Sequence, residues 1–501
     1  MQKYKIKVIE KNKEQEVTGK ADQNFLEILR NHDIAINALC NGQGKCGKCK
    51  IEILDGVQKG ECLACKTYPV EDCRIKIQTL SRETFHILST GTAAKQHGDK
   101  VSAGSNLGIA ADIGTTTLVM QLVDIDNGAV MKTYTALNEQ GGYGADVISR
   151  IEAANNGADE ILKKSISRQL EEGVKELSKS KKAPIKRMVI AANMTMVHLL
   201  MGYSCEKLGV YPFTPVNTET IEIDFAALTG TAGESFPVII IPGICAYVGG
   251  DIVAGLVALD FIKCEGVHIL IDLGTNGEMA IGNKKKILVT STAAGPAFEG
   301  GNISSGIGSV AGALNKATLT EGKIKYETIM GAPLVGICGS GVVELTHELL
   351  KSGLVDETGL MDEAYFDEGY SLDKTVTGSM VKFTQKDVRE IQLAKSAIRA
   401  GLEMLILRYG VAYKEIEKIY IAGGFGYYLN IKKAVGIGLL PGQYACKIEA
   451  AGNSALAGAK CVLTDEAALK EGEQLAAKAE EIQLAADKEF NELYMKNMYF
   501  E

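Results

Sequence analysis

Residues 108–134, GIAADIGTTTLVMQLVDIDNGAVMKTY, read as strand, glycine turn, strand, turn, strand. The pattern returns at residues 268–292, HILIDLGTNGEMAIGNKKKILVTST, where Asp272 stands 160 residues after Asp112. Each copy ends an apolar strand on Asp, then Gly, then Thr: D-I-G-T-T-T and D-L-G-T-N-G. A single Asp-x-Gly-Thr turn is common in hairpins and carries little weight. Two copies at domain spacing form an internal repeat and predict two similar lobes.

That order of residues suits phosphate chemistry. A hairpin turn carrying Gly114 or Gly274 can bring backbone N–H groups and the side chains of Thr115, Thr116, Thr117, Thr275 or Asn276 onto phosphate oxygens, while Asp112 or Asp272 faces Mg²⁺ through water. Two such hairpins facing each other would grip a triphosphate from both sides. Residues 416–426, IEKIYIAGGFG, are an apolar strand running into Gly423, Gly424, Phe425 and Gly426, where backbone could lie flat against a nucleoside. In VGGDIVAGLVALD (248–260), Asp251 stands at the start of an apolar helix. It is either an N-cap or, facing a bound γ-phosphate, the carboxylate that orients water or holds the Mg²⁺ shell.

A second constellation lies upstream. Six of the 12 cysteines fall between Cys40 and Cys73, three of them in CNGQGKCGKCK (40–50). A four-coordinate site needs one more ligand, from Cys62, Cys65 or Cys73. Cys46-x2-Cys49 and Cys62-x2-Cys65 have a spacing close to that of zinc ribbons, so spacing alone leaves zinc and iron level. Zinc would leave Cys40 unused, although C-x5-C-x2-C is one residue longer than the first three ligands of plant-type 2Fe-2S ferredoxins. Its glycines let N–H groups turn toward anionic sulfur. Around the loop, YKIKVIE, KEQEVTG, CKIEIL and CRIKIQTL read as four short strands and NFLEILRNH as a helix with Phe25, Ile28 and Leu29 on one face, the order of a β-grasp ferredoxin. These features favour iron–sulfur.

The totals are those of a globular protein. The 501 residues suit roughly three domains of about 150 residues each. The net charge of −8 gives no basic surplus for neutralising phosphates, which argues against a nucleic-acid partner. Apolar runs such as VIIIPGICAYV (238–248) are broken well short of about 18 residues, and MQKYKIKVIE has no signal-peptide pattern; a cytoplasmic protein with no membrane partner is expected. The remaining cysteines, Cys205, Cys245, Cys264, Cys338, Cys446 and Cys461, are expected as buried small hydrophobes.

The paired hairpins and adenosine glycines resemble those of the acetate and sugar kinase, heat-shock protein and actin superfamily. Joined to an N-terminal ferredoxin, they resemble the reductive activators of corrinoid proteins. The match runs through HLLMGYSCEKLGVYPFTP (198–215), AYVGGDIVAG (246–255), LIDLGTNGEMAIG (270–282), STAAGPAFEGGNISSGIG (291–308), GICGSGVVEL (336–345), and AGGFG, GIGLLP and AGNSALAGA within 422–459. The fold so implied is α/β with an α+β N-terminal domain: a β-grasp 2Fe-2S ferredoxin (1–80), a linker (81–106), and a two-lobed, duplicated ribonuclease-H-like ATPase (107–265 and 266–501). LAC at 63–65 matches the family's last ligand segment, so the resemblance implies Cys40, Cys46, Cys49 and Cys65 as cluster ligands. It implies a 2Fe-2S cluster, ATP and Mg²⁺ as cofactors, and as partners a corrinoid protein of a methyltransferase system, a low-potential electron donor and a second copy of the chain. The implied reaction returns inactive Co(II) to Co(I) at the expense of ATP, with Asp112, Asp251 and Asp272 as the catalytic carboxylates. Longer members carry a linker and middle domain where this chain has about 25 residues. Two further readings are a small-molecule kinase regulated by an iron–sulfur cluster and an activator of a radical dehydratase. Residues 464–501 are expected to form an acidic helix with an aromatic end, packed on a lobe.

Overall fold

The computed structural model describes residues 2–10, 13–32, 34, 36, 44, 49–77, 106–179, 183–231, 235–320, 322–375, 378–424 and 429–500. Cys40, Cys46, Phe425, Gly426 and all of the expected linker except Asn106 lie outside them.

Strands β1 (Lys3–Glu10), β2 (Lys13–Lys20), β3 (Lys50–Ile53), β4 (Gly60–Leu63) and β5 (Cys73–Ile77) form a sheet in the order β2-β1-β5-β3-β4. Alternation decides which face is covered: Ile6, Val8, Val17, Ile51, Ile53, Ile75 and Ile77 point inward onto the helix Phe25–Asn31. That helix starts in a capping box, with Asn24 accepting from the Glu27 N–H at 2.9 Å and Glu27 returning to the Asn24 N–H. It lies so close over β2 that a Cβ on Gly19 would meet Ile28 Cδ1 at 2.3 Å. The sheet is the expected β-grasp with one strand more than the sequence reading gave. GECL has no alternation to mark it, yet it pairs antiparallel with β3 through Lys50↔Leu63 and Ile53↔Gly60.

Two six-stranded sheets follow, and they are copies. In the first, β6 (Leu107–Ile113), β7 (Thr117–Asp124) and β8 (Val130–Leu137) form an antiparallel meander; β9 (Ile185–Ala192) adds parallel to β6, β11 (Pro237–Ile240) parallel to β9, and β10 (Ile221–Asp224) closes the edge. In the second, β12 (Val267–Leu273), β13 (Gly277–Gly282) and β14 (Ile287–Thr292) repeat the meander. Between β14 and the next strand of that sheet, β15 (Ala313–Thr320), β16 (Lys323–Thr328) and β17 (Gly336–Ile337) make a small sheet, and β18 (Tyr370–Lys374) and β19 (Met380–Phe383) a ribbon. Strand β20 (Ile416–Ala422) then adds parallel to β12, β21 (Ile448–Gly452) parallel to β20, and β22 (Ala479–Glu481) parallel to β14. The registers agree between copies: Asp112 lies opposite Ala191 and Asp272 opposite Ala422, each at the end of its central strand.

Between the two sheets run the helices Gly250–Ala258 and Ser454–Thr464, whose apolar sides share one core with Ala110, Val119, Val189, Leu270, Ala280 and Val289. They cross at small residues. A Cβ on Gly458 would fall 1.9 Å from the Ala254 carbonyl oxygen, and one on Gly255 2.9 Å from Ser454 Oγ. This close crossing brings the start of each helix to the mouth between the lobes.

Three expectations need correction. The stretch 464–501 is not one helix: it forms helices Glu466–Lys478 and Lys488–Lys496 with β22 between them. Its end does pack on a lobe, because Phe500 is buried and Lys395, 1 % exposed, donates to the carbonyls of Asn497 (2.7 Å) and Tyr499 (2.6 Å). Among the scattered cysteines only Cys205 and Cys338 are buried; Cys245, Cys264 and Cys461 are half-buried, and Cys446 is exposed on the surface turn Gly442–Lys447. Asp251 is not an N-cap, since Gly249 holds that position and Asp251 sits in the first turn.

Candidate functional site

The two hairpin turns meet. Thr116 Oγ1 and Thr275 Oγ1, 159 residues apart in sequence, are 3.5 Å apart in space. Glu299 Oε2 lies between them and accepts from Thr116 at 2.8 Å and from Thr275 at 2.6 Å. The turns are closed by their own backbones, with the Gly114 N–H donating to the Thr117 carbonyl (2.9 Å) and the Gly274 N–H to the Asn276 carbonyl (3.1 Å). Those two glycine N–H groups are therefore committed to the turns rather than facing outward. Thr115 is buried away from the mouth, where its hydroxyl accepts from Asn193 Nδ2 at 3.0 Å.

Several side chains that the sequence reading passed over hold these turns in place. Asn138 Nδ2 donates to the Gly114 carbonyl at 2.9 Å. Arg150, 1 % exposed, donates to the carbonyls of Thr115 and, at 2.9 Å, Gly144. Asn193 caps the helix Met194–Met201, and Asn453 caps Ser454–Thr464 while donating to Asp112 Oδ2 at 2.7 Å. Asn453 falls within the quoted block AGNSALAGA, which was its one signal. The others are 20 to 80 positions from the turns, and nothing local marks them.

The sequence-predicted carboxylates do converge. Burial raises Asp112 to about 7, opposed by the Asn453 bond and reinforced by Asp251. Burial raises Asp272 to about 8, with Asp251, Asp112 and Glu299 adding repulsion. Burial also raises Asp251 to about 6, against bonds from nearby backbone N–H groups. Glu278, on β13 opposite Asp272, is raised well above its ordinary range by burial and then by Asp251 and Asp272. Glu299 is raised by burial, against the two threonine hydroxyls and Arg150. Five acids repelling one another beside one guanidinium fit a site that takes a cation. Among the described residues no three His, Cys, Asp or Glu side chains come close enough to hold a metal by themselves. The arrangement therefore suits Mg²⁺, which keeps several waters and takes phosphate oxygens as ligands.

Gly423 follows the last residue of β20, Ala422, which pairs with Asp272. The φ of Gly423 is 93°, and a Cβ there would lie 2.5 Å from the Leu273 carbonyl oxygen and 2.8 Å from Asp272 Oδ1. Gly424 is exposed, and among the described residues nothing lies within 4 Å of where its Cβ would stand.

In the N-terminal domain Cys49 and Cys65 are buried, and their Sγ atoms are 3.3 Å apart. Two thiolates on one tetrahedral metal stand about 3.8 Å apart for metal–sulfur bonds of about 2.3 Å. A small rotation of either side chain reaches that separation, so the pair fits an iron site. Cys65 is set by the turn Leu63–Thr67, which is pinned to the helix Phe25–Asn31 through Leu26 N–H to the Ala64 carbonyl (3.1 Å) and Phe25 N–H to the Thr67 carbonyl (2.9 Å). The Ala64 N–H also donates to the Cys49 carbonyl at 2.8 Å. Cys62 points from β4, and Cys73 starts β5 with its thiol raised to about 11 by burial. In the glycine loop Gly44 has φ 72°, and a Cβ there would strike Lys66 Cε at 2.2 Å.

Residues 8–70 match the family model for a 2Fe-2S iron–sulfur cluster binding domain, residues 107–263 that for the RACo middle region, and residues 266–501 that for the C-terminal domain of RACo, the ASKHA domain. The chain therefore does not lack the family's middle region, as the short linker suggested. That region is the first six-stranded sheet with its helices. The chain is 34 % identical over 417 residues to the corrinoid activation enzyme RamQ of Eubacterium limosum, covering 78 % of this chain and 70 % of the relative. It is 28 % identical over 426 residues to a [Co(II) methylated amine-specific corrinoid protein] reductase of Methanosarcina barkeri, covering 77 % and 76 %. The solved structure of a reductive activator for corrinoid, iron–sulfur protein superposes with a TM-score of 0.74 at 27 % identity, covering 99 % of this chain and 98 % of that one. With a 2Fe-2S domain model, the RACo middle-region model and the RACo C-terminal ASKHA model in succession, and with RamQ at 34 % identity over most of both chains, the chain belongs to the family of corrinoid activation enzymes.

Proposed function

We propose that this chain is an ATP-dependent reductive activator: a 2Fe-2S cluster supplies one electron at a time, and ATP hydrolysis drives the return of a partner protein's corrinoid from Co(II) to Co(I). The observation that carries the reading is the meeting of Thr116 and Thr275 across the two lobes, which makes one phosphate grip from two distant turns.

The residues divide the work. Cys40, Cys46, Cys49 and Cys65 hold the cluster. Thr116, Thr117, Thr275 and Asn276 face the phosphates, and Thr115, Gly114 and Gly274 shape the turns that present them. Asp112, Asp251 and Asp272 serve Mg²⁺ and the attacking water; burial raises their pKa values, and a cation beside them lowers the cost of ionising all three. Gly423, Gly424, Phe425 and Gly426 lie by the adenosine. The division runs as 1–80 for the cluster, 81–106 as connection, and 107–265 and 266–501 as the lobes. ATP is needed because plant-type clusters sit near about −400 mV, and each 59 mV of shortfall costs about tenfold in a one-electron equilibrium. The corrinoid belongs to a protein of a methyltransferase system, and a separate low-potential donor re-reduces the chain. A second copy of the chain is the remaining expected partner. None of the described helices is long and apolar enough to cross a membrane.

The test mixes the reconstituted protein, a reductant and a Co(II) corrinoid protein without oxygen, with and without ATP, and follows cobalt by its visible spectrum. Co(I) formed at the same rate and extent without ATP would end the coupling idea. A phosphorylated small molecule formed without any corrinoid protein would favour the kinase reading.

A further inference from the structure

Glu299 is one of the five acids at the mouth but holds none of the Mg²⁺, phosphate or cluster roles assigned above, and the chain builds a fixed seat for it. It ends the turn Pro296–Glu299, which is entered at Gly295 (φ 75°) and left at Gly300 (φ 79°). A Cβ on Gly300 would lie 2.5 Å from the Ile307 carbonyl oxygen, and Ala297 and Phe298 are buried beneath the turn. The backbone is thus held on both sides of Glu299, and its carboxylate points between the hairpins.

There a single oxygen, Oε2, takes one hydrogen bond from each lobe, from Thr116 at 2.8 Å and Thr275 at 2.6 Å. The other oxygen lies toward Gly274, whose Cβ, if present, would be 3.8 Å from Oε1. An anionic oxygen accepting from both hydroxyls is the contact a phosphate oxygen would make in the same place.

We propose that Glu299 is an internal stand-in for a nucleotide phosphate, clasping the two hairpins together when no nucleotide is bound and leaving when the terminal phosphates enter. The inference rests on the reading of the two turns as phosphate grips. Its consequence is a lowered apparent affinity, because the nucleotide binds the unclasped fraction of the protein. A phosphate and a carboxylate cannot share the two hydroxyls, so the penalty falls on nucleotides whose phosphates reach that far. AMP, with one phosphate, escapes it.

The test is calorimetric titration of the full reconstituted chain, wild type, E299Q and E299A, with MgATP, MgADP and AMP. Glutamine keeps the size of the side chain and removes the charge, while alanine removes the clasp outright, and melting of each variant checks the fold. The expected result is MgATP binding about tenfold tighter in both variants with AMP affinity unchanged. Unchanged or weaker MgATP binding in both variants, or an equal gain for AMP, overturns the clasp. If the wild type binds AMP as tightly as MgATP, the phosphate-grip reading itself fails, which separates the two failures.

Discussion

Asn453 Nδ2 donates to Asp112 Oδ2 at 2.7 Å, from the second lobe to the first across 341 positions of the chain. The same side chain accepts from the Leu456 N–H at 2.7 Å and so caps the helix Ser454–Thr464. One residue therefore fixes a helix start and aims a carboxylate that belongs to the other lobe. Asn453→Ala should lose a cap worth about 1 kcal/mol and lower the melting temperature by a few degrees. ATP hydrolysis should fall by at least about tenfold as Asp112 loses its orientation, about 1.4 kcal/mol in the barrier. Asn453→Asp keeps a cap but sets a second acid against Asp112, and should hydrolyse ATP no faster than the alanine variant. Wild-type turnover in Asn453→Asp would remove Asp112 from the site.

Cys65→Ala should abolish the visible absorption of a 2Fe-2S cluster and the iron content of the reconstituted chain, since its Sγ is the one found 3.3 Å from that of Cys49. Cys73→Ala should keep both, because Cys73 starts β5, paired with Ile6 of β1, and stands outside the Cys49–Cys65 contact. Cys62→Ala should also keep the cluster. A normal spectrum in Cys65→Ala together with a lost one in Cys62→Ala would assign the fourth ligand to Cys62 instead.

Gly423→Ala should displace Asp272. The new methyl group meets Asp272 Oδ1 and the Leu273 carbonyl at under 3 Å, and φ of 93° adds backbone strain of about 1 kcal/mol or more. ATPase activity should drop by more than about tenfold, the larger part in kcat. Gly424→Ala meets nothing among the described residues and should melt with the wild type. Equal melting and equal kcat in Gly423→Ala would show that Asp272 has no fixed catalytic position.

The acid cluster sets the direction of the pH dependence. Burial pushes Asp112 up to about 7 and Asp272 up to about 8 in the folded chain, against about 3.9 for an unfolded Asp. A raised folded value means that the folded state binds more protons in between, so the stability these groups give is full below about pH 4 and is lost as pH rises through 7 and 8. Without Mg²⁺ the melting temperature should therefore fall between pH 6 and pH 8.5. Saturating MgATP should flatten the slope, because a cation favours the ionised forms. Differential scanning calorimetry across that range, with and without MgATP, measures both slopes. A melting temperature rising with pH in the nucleotide-free chain would contradict the packing of these acids.

Much of the architecture was readable because it depends on short-range pattern. Alternation in YKIKVIE and CRIKIQTL and the near-continuous apolar runs of LGIAADI and VHILIDL announce half-buried and fully buried strands. The repeat of Asp, Gly and Thr at two distant places announced the duplication. GECL was missed because its burial does not alternate and its place is set by pairing with β3. The single C-terminal helix was over-read because helix propensity continues through AEEI, and the edge of β14 claims those residues as a strand.

The site divides in the same way. The sequence by itself determined which chemistry the chain carries: cysteines in a glycine loop, two Asp-Gly-Thr turns and the aspartates at their strand ends. Those are properties of residue type and local spacing. Only the tertiary structure decided that Thr116 and Thr275 face each other, that Glu299 fills the space between them, and that Asn453 steers Asp112. Each of these pairs is joined by hydrogen bonds of 2.6 to 3.5 Å between residues from 24 to 341 positions apart. Such contacts exist only once the helices Gly250–Ala258 and Ser454–Thr464 have crossed at their glycines and brought the two copies together. No local signal encodes them, because the energy that forms them is the burial of the core that the two sheets share.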